Sequence, residues 1–178
     1  NSYSSTDVSL GIIGGSGLFG LVDHAQFIEV DTPYGKPSDK IEVAHLANKV
    51  VAFLPRHGSK NNIIPHKINY RANIWALQHL GVKRVVSFCV AGSLRKSICP
   101  GDFLICDDII DQTKFRDNTF YDHGDGIYVY MDHVFCPDLR KVAFQTISSI
   151  GYKCHAVGTM VVINGPRFAT KAESKMHI

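Results

Sequence analysis

Two periodicities of apolar and polar positions run through this chain, and their order sketches alternating strands and helices. Leu10-Gly11-Ile12-Ile13 leads straight into Gly14-Gly15-Ser16-Gly17, which reads as a buried strand opening into a tight turn. Phe27 to Asp31 alternates like a half-buried strand, and Thr32-Pro33-Tyr34-Gly35-Lys36-Pro37-Ser38-Asp39 has the Pro, Gly and Ser density of a loop. Residues 41–46 and 49–54 form two further alternating runs separated by Ala47-Asn48, which predicts a hairpin. That hairpin delivers Pro55-Arg56-His57-Gly58 at a strand end.

Pro65 to Leu80 has helical spacing: Pro65 suits a first turn, Ile68, Ala72 and Trp75 recur on one face, and Ile74 and Leu77 widen it. Gly81 supplies the stop. Val85 to Val90 is almost continuously apolar, as expected of a strand buried on both faces, and ends at Ala91-Gly92-Ser93-Leu94. Gly101 to Cys106 begins another strand, and Thr113 to Gly126 reads as a long polar loop. Pro137 to Ile150 predicts the cleanest helix, with Leu139, Val142, Ala143, Thr146, Ile147 and Ile150 in one stripe. Ala156 to Ile163 reads as a strand, Gly165-Pro166-Arg167-Phe168 as the turn after it, and Ala169 onward as a helix.

This alternation predicts one α/β domain over residues 1–178, with a mixed, mostly parallel central β-sheet flanked by helices. Ligands of such sheets gather at the carboxyl ends of the strands. Four loops fall there: Gly14 to Gly17, Arg56-His57, Cys89 to Ser93, and Gly165 to Phe168. Three of them offer small residues, backbone N–H groups or cationic donors, and the fourth offers an aromatic face. The combination would build an anion site beside a platform for a flat base.

Composition narrows the partners. The chain has 178 residues, 45% hydrophobic and 20% charged, with a net charge of +3. Its Lys and Arg are scattered, so nothing tracks a nucleic-acid backbone. No apolar run approaches the ~20 residues that span a bilayer. Asn1 to Asp7 is polar, lacks the apolar core of a signal peptide and has no initiator Met, which suggests a trimmed or processed start. Five cysteines (Cys89, Cys99, Cys106, Cys136, Cys154) make no C-x-x-C pair. Several lie in apolar runs as small hydrophobes, and a reducing, cytosolic setting fits them. The histidines show no metal-site spacing, His123 and His133 included, and no metal is expected.

Gly15-Ser16-Gly17-Leu18-Phe19-Gly20 also matches G-x-G-x-x-G, with Asp31 at the end of the next strand. A dinucleotide site needs a helix opening at those glycines. Only Leu21 to Gln26 separates Gly20 from the next strand, short of the ~10–12 residues of a parallel crossover. An NAD-binding Rossmann domain is therefore the remote alternative.

The loops together carry a family resemblance. Gly11 to Gly17, Thr32 to Asp39, Arg56-His57-Gly58, Asn69 to Leu77, Gly92-Ser93-Leu94-Arg95, Phe120-Tyr121-Asp122, Phe135-Cys136-Pro137 and Gly158-Thr159-Met160 through Phe168 to Ser174 follow one another in order. The chain closely resembles the 5′-methylthioadenosine phosphorylases of the trimeric-type purine nucleoside phosphorylase superfamily. The resemblance implies phosphorolysis of methylthioadenosine to adenine and 5-methylthioribose 1-phosphate, a step of purine and methionine salvage. It implies no cofactor, since inorganic phosphate is a co-substrate, and a homo-oligomer, with a trimer favoured. It also implies a cytoplasmic enzyme, with the nucleus as a second location.

Carried over by position, phosphate would be held by Ser16, Arg56, His57 and the loop at Cys89-Val90. Phe168 would pack on the purine face, Ala169 would occupy a position tied to the choice of purine substituent, and Tyr128 would lie near the 5′ group. A charge-assisted bond from a guanidinium to phosphate is worth about 1.5–3 kcal/mol. Cys89 stands where relatives usually have Thr or Asn, and the weaker thiol donor would cost ~1 kcal/mol of binding. The chain would lack the family's C-terminal third, and with it the Asp that contacts the purine, so the catalytic residue is unknown within residues 1–178. Two alternatives stay open. One is a phosphorylase of inosine and guanosine or of adenosine; the other is a non-catalytic purine- or phosphate-binding or oligomerising isoform.

Overall fold

The computed structural model describes residues 8–15, 17, 20, 24–122, 124 and 126–178, and the statements below concern these. The chain divides into two compact units. The first runs to Val90 and takes in Asp117–Phe120; the second holds Ala91–Arg116 and Tyr121–Ile178.

The first unit is built on a five-stranded sheet of β1 (Val8–Gly14), β2 (Gln26–Ile28), β3 (Ile41–Leu46), β4 (Lys49–Pro55) and β5 (Val85–Ser87), in the order β2-β3-β4-β1-β5. The predicted hairpin is present: β3 and β4 pair antiparallel, Leu46 opposite Lys49, with Ala47 at φ 53° in the two-residue turn. β1 runs parallel to both β4 and β5. The strand after the glycine loop, β2, pairs antiparallel with β3 and does not neighbour β1. A dinucleotide βαβ unit joins two parallel strands through a crossover, so this topology excludes the Rossmann alternative.

Helix α1 (Tyr70–His79) lays Ala76 and Leu77, followed by Leu80 and Val82, against Val8, Ile41, Val43, Ala52 and Leu54 of the sheet. Gly11 is where helix and strand come closest. A Cβ there would lie 3.0 Å from Val82 Cγ1 and 3.4 Å from Leu77 Cδ1.

Two expectations in this unit need correction. The helix expected from Pro65 is a separate 3-10 turn, Pro65–Lys67, followed by extended Ile68. Asn69 then caps α1 with a side-chain oxygen that accepts from the Ala72 N–H at 3.1 Å. An Asn that satisfies an otherwise orphaned helical N–H is a natural point of entry. The buried face is accordingly Ala72, Asn73, Ala76 and Leu77, while Ile74 is exposed and Trp75 is half-buried, its ring stacked on His79. The strand expected over 85–90 covers only Val85–Ser87, and Val85, Phe88 and Val90 are exposed rather than buried. Among the described residues β5 is an edge strand with β1 on one side only, so its apolar run lacks the second neighbour that would bury it.

The second unit holds two parallel pairs. β6 (Phe103–Leu104) lies beside β8 (Cys154–His155), and β7 (Asp108–Gln112) beside β9 (Thr159–Ile163). The chain is thus a mixed α/β protein, and four of the six strand pairings among the described residues run parallel.

Helix α2 (Pro137–Ser149) matches the predicted stripe but buries none of it fully: Leu139, Ala143 and Ile147 are half-buried, and Val142 and Ile150 are exposed. Arg140 ties this helix to the strand ends, donating to the carbonyls of Cys106 at 3.0 Å and Ala156 at 2.8 Å. Helix α3 (Lys171–Met176) begins with a capping box in which Thr170 and Glu173 each satisfy the other's backbone N–H. The cysteines differ from expectation as well. Cys89, Cys99 and Cys136 are exposed, and Cys106 and Cys154 are half-buried, because the runs that carry them are themselves only partly covered.

Candidate active site

The carboxyl ends of β4, β1 and β5 are neighbours in the sheet, and this brings together the loops that follow them. The Arg56 backbone N–H, just after β4, donates to the Gly14 carbonyl at the end of β1 at 3.0 Å. The Arg56 guanidinium donates through Nη1 to the Phe88 carbonyl just after β5 at 2.6 Å. Its Nη2 lies close to Gly15, 3.5 Å from where a Cβ would stand there. One arginine therefore bridges three loops at the top of a parallel β4-β1-β5 ridge. A glycine at position 15 leaves its backbone open beside that cation, where an anion can approach N–H groups and guanidinium together.

His57 shares the Arg56 turn. Its Nδ1 is 2.8 Å from the Ile63 carbonyl, and the Ile63 N–H donates to the His57 carbonyl at 3.0 Å. The ring is thus fixed to its own turn and keeps Nε2 for another partner. Cys89 and Val90 follow directly on the Phe88 carbonyl, and both are exposed. Ser16 lies outside the described residues.

The residues expected at the nucleoside all belong to the second unit. Phe168 and Tyr128 have almost fully exposed side chains, and Ala169 is exposed next to the Thr170 cap of α3. Arg167, beside Phe168, donates to the Phe168 carbonyl at 2.9 Å and meets Glu173 with both guanidinium nitrogens at 2.7 Å. The bonds from Arg167 and from the Thr170 N–H hold the Glu173 carboxyl well below its usual range, at about 2.

Several polar side chains carry structural weight that local spacing does not show, although Asp39, Arg71 and Asn73 lie within stretches that carry the resemblance. Glu42 lies on β3, where strict alternation would turn a carboxylate outward, yet it is 1% exposed and accepts from the Gly20 N–H of the glycine loop at 3.0 Å. Asn73 is 3% exposed on α1; its oxygen accepts from the Ser38 N–H at 2.8 Å and its amide donates to Ser38 Oγ at 2.9 Å. Asp39 Oδ2 accepts from the Ser59 N–H at 2.7 Å and from the Ser59 hydroxyl at 2.6 Å. Burial pushes the Asp39 carboxyl up, but the bonds from Ser59 and the Lys40 N–H outweigh it and leave it below its ordinary value. Arg71 joins Asp117 at 2.8 Å and lies over the Tyr34 ring, 4.9 Å from its centre. Among the described residues no group of three or more His, Cys, Asp or Glu is placed to hold a metal ion, and His123 lies outside them. No described helix is long and apolar enough to cross a membrane.

The sequence profile of the Phosphorylase superfamily matches residues 9–178. This chain belongs to the phosphorylase superfamily. It is 52% identical over 169 residues to the S-methyl-5′-thioadenosine phosphorylase of Saccharolobus solfataricus, a match covering 94% of this chain and 63% of that protein. It is 49% identical to the enzyme of the same name from Hyperthermus butylicus, covering 97% of this chain and 64% of the relative. Among solved structures it is similar to the methylthioadenosine phosphorylase of Schistosoma mansoni in complex with adenine. There the TM-score is 0.89 at 35% identity, over 96% of this chain and 70% of the other. The chain thus spans a little under two thirds of the length of these curated superfamily relatives. Membership agrees with the mixed α/β fold and with the order of the loops that carried the resemblance.

Proposed function

We propose that this protein cleaves the N-glycosidic bond of 5′-methylthioadenosine with inorganic phosphate, giving adenine and 5-methylthioribose 1-phosphate. The observation that carries the reading is Arg56, held against Gly14, Gly15 and Phe88 at three adjacent strand ends, in a chain about half identical to S-methyl-5′-thioadenosine phosphorylases. Phosphate binds against the Arg56 fork with His57, Ser16 and the Cys89-Val90 turn around it. The anion then serves twice, as the nucleophile at the anomeric carbon and as the counter-charge to an oxocarbenium-like transition state. Positioning and electrostatics supply the rate. Phe168 packs on the purine, Ala169 borders its substituents, and Tyr128 lies near the 5′ group. No cofactor takes part, and the working enzyme is a homotrimer in the cytoplasm and nucleus.

The test is adenine release from methylthioadenosine with and without phosphate. Release that needs phosphate supports the reading; no phosphorolysis of any purine nucleoside overturns it. Adenosine belongs in the same assay, because one similar solved structure is of an adenosine/methylthioadenosine phosphorylase.

A further inference from the structure

The turn that carries Arg56 and His57 has little apolar anchorage. Beyond Pro55 it runs through Gly58, Ser59, Lys60, Asn61 and Asn62, and of these only Gly58 is buried. Its internal bonds, Gly58 N–H to the Pro55 carbonyl and Asn61 N–H to the Gly58 carbonyl, both 2.9 Å, shape it, and Arg56 itself ties its start to Gly14 and Phe88. Two further features hold the far side of the turn. Gly58, at φ +75°, sits where a Cβ would come within 3.5 Å of the Ser38 carbonyl oxygen, so the 36–39 segment passes close against the turn. From that segment Asp39 reaches Ser59 with one carboxylate oxygen, accepting from its N–H and its hydroxyl, while the other oxygen takes the Lys40 N–H at 2.8 Å.

Asp39 is itself fixed from behind. Buried Asn73 grips Ser38 twice, and Asn69 donates to the Tyr34 carbonyl at 2.6 Å, so the segment hangs from the packed face of α1. A continuous polar chain therefore runs from the core helix through Ser38 and Asp39 to Ser59, three residues from Arg56. A carboxylate close to an anion-binding turn is a poor choice on charge alone; its benefit must lie in the two donors it satisfies.

We propose that Asp39 is a positioning residue for phosphate: through Ser59 it holds the turn that presents Arg56 and His57. This rests on the phosphorolysis reading above. Asp39 acts through Ser59 on the turn that presents Arg56 and His57, so its loss should fall on phosphate rather than on the nucleoside.

The experiment measures phosphate Kd by calorimetry, and the KM of phosphate and of methylthioadenosine, for the intact protein and for Asp39→Ala, Asp39→Asn and Ser59→Ala. Asp39→Ala is expected to raise the Kd and KM of phosphate about tenfold, with the nucleoside KM within about twofold. Asp39→Asn, which keeps one acceptor oxygen, should recover much of the loss, and Ser59→Ala should lose less than Asp39→Ala. If Asp39→Ala folds poorly, the other two variants decide the question by the same split. Unchanged phosphate binding in the variants, or an equal rise in both KM values, overturns the positioning role while leaving phosphorolysis standing. No phosphate binding by the unsubstituted protein overturns both readings.

Discussion

The two units of this chain are made from similar apolar stock and bury it very differently. The fully buried hydrophobic residues, from Val8 to Val82, all lie in the first unit, whereas among described residues 91–116 and 121–178 none is fully buried. The first unit has strands of six and seven residues in a five-stranded sheet with a helix against one face. The second has parallel pairs of two and five residues. A parallel pair is stable when both faces are covered, and two strands alone bury too little to stand independently. Polar ties add to its partly covered apolar contacts: Arg140 on two strand-end carbonyls, and Asp102 accepting from both His155 and Lys153 at 2.8 Å. The lesson is that apolar content sets what can be buried, and neighbours set what is.

The largest test of this contrast is a pair of truncations. Leu77→Ala, in the core of the first unit, should cost about 2–5 kcal/mol of stability. Ile147→Ala, half-buried on α2, should cost less than half as much, both read by urea denaturation. Comparable losses would break the comparison.

Next come the anion and base sides of the proposed site. Arg56→Ala should raise the phosphate KM about tenfold to a hundredfold, as expected for a lost charge-assisted bond. Its effect on the nucleoside KM should be small, whereas Phe168→Ala should do the reverse. An equal loss of both substrates in Arg56→Ala would make Arg56 a structural residue.

Two glycines sharpen the contrast further. Gly11→Ala pushes a methyl against Val82 and Leu77 inside a filled core and should cost about 1–3 kcal/mol in thermal or chemical unfolding. Gly158→Ala brings its methyl nominally closer, 2.7 Å from Leu104 Cδ1, but that is the end of a half-exposed side chain. It should cost well under 1 kcal/mol. The smaller distance with the smaller effect is the signature of a neighbour free to yield.

The smallest effect is a local titration. The Glu173 carboxyl is depressed in the folded chain from 4.5 to about 2 by Arg167 and the Thr170 N–H. The ionised form therefore steadies the start of α3 in full above about pH 4.5, and this contribution fades as pH falls through about 2. Amide protection across Lys171–Met176 should decline on acidification through that window, and Glu173→Gln should flatten the dependence. A Glu173 carboxyl that titrates near 4.5 would show that the Arg167 fork is not formed in solution.

How much could be read from the residues alone differs by the kind of interaction involved. The hairpin at 41–54, the start of α2 at Pro137, the stop at Gly81 and the turn carrying Arg56 follow from local spacing, and the structure has them. The helix expected from Pro65 starts later because a periodic apolar pattern continues across Ile68, while the Asn69 cap that starts α1 is a single local bond. Val85 to Val90 departs for the opposite reason: its pattern is that of a doubly covered strand, and among the described residues one side has no strand beside it.

The sequence by itself determined the order of elements, the loops that carry donors and cations, and the family to which they belong. All of these rest on residues close together along the chain. Only the tertiary structure decided which apolar faces are covered. It also decided that Arg56 reaches the Phe88 carbonyl, that Glu42 turns inward, and that Asn73 and Asp39 brace the anion turn. Those contacts join positions 20 to 35 residues apart. A periodic pattern records the polarity of each face but not what lies across from it, and a long-range hydrogen bond leaves no trace in local spacing.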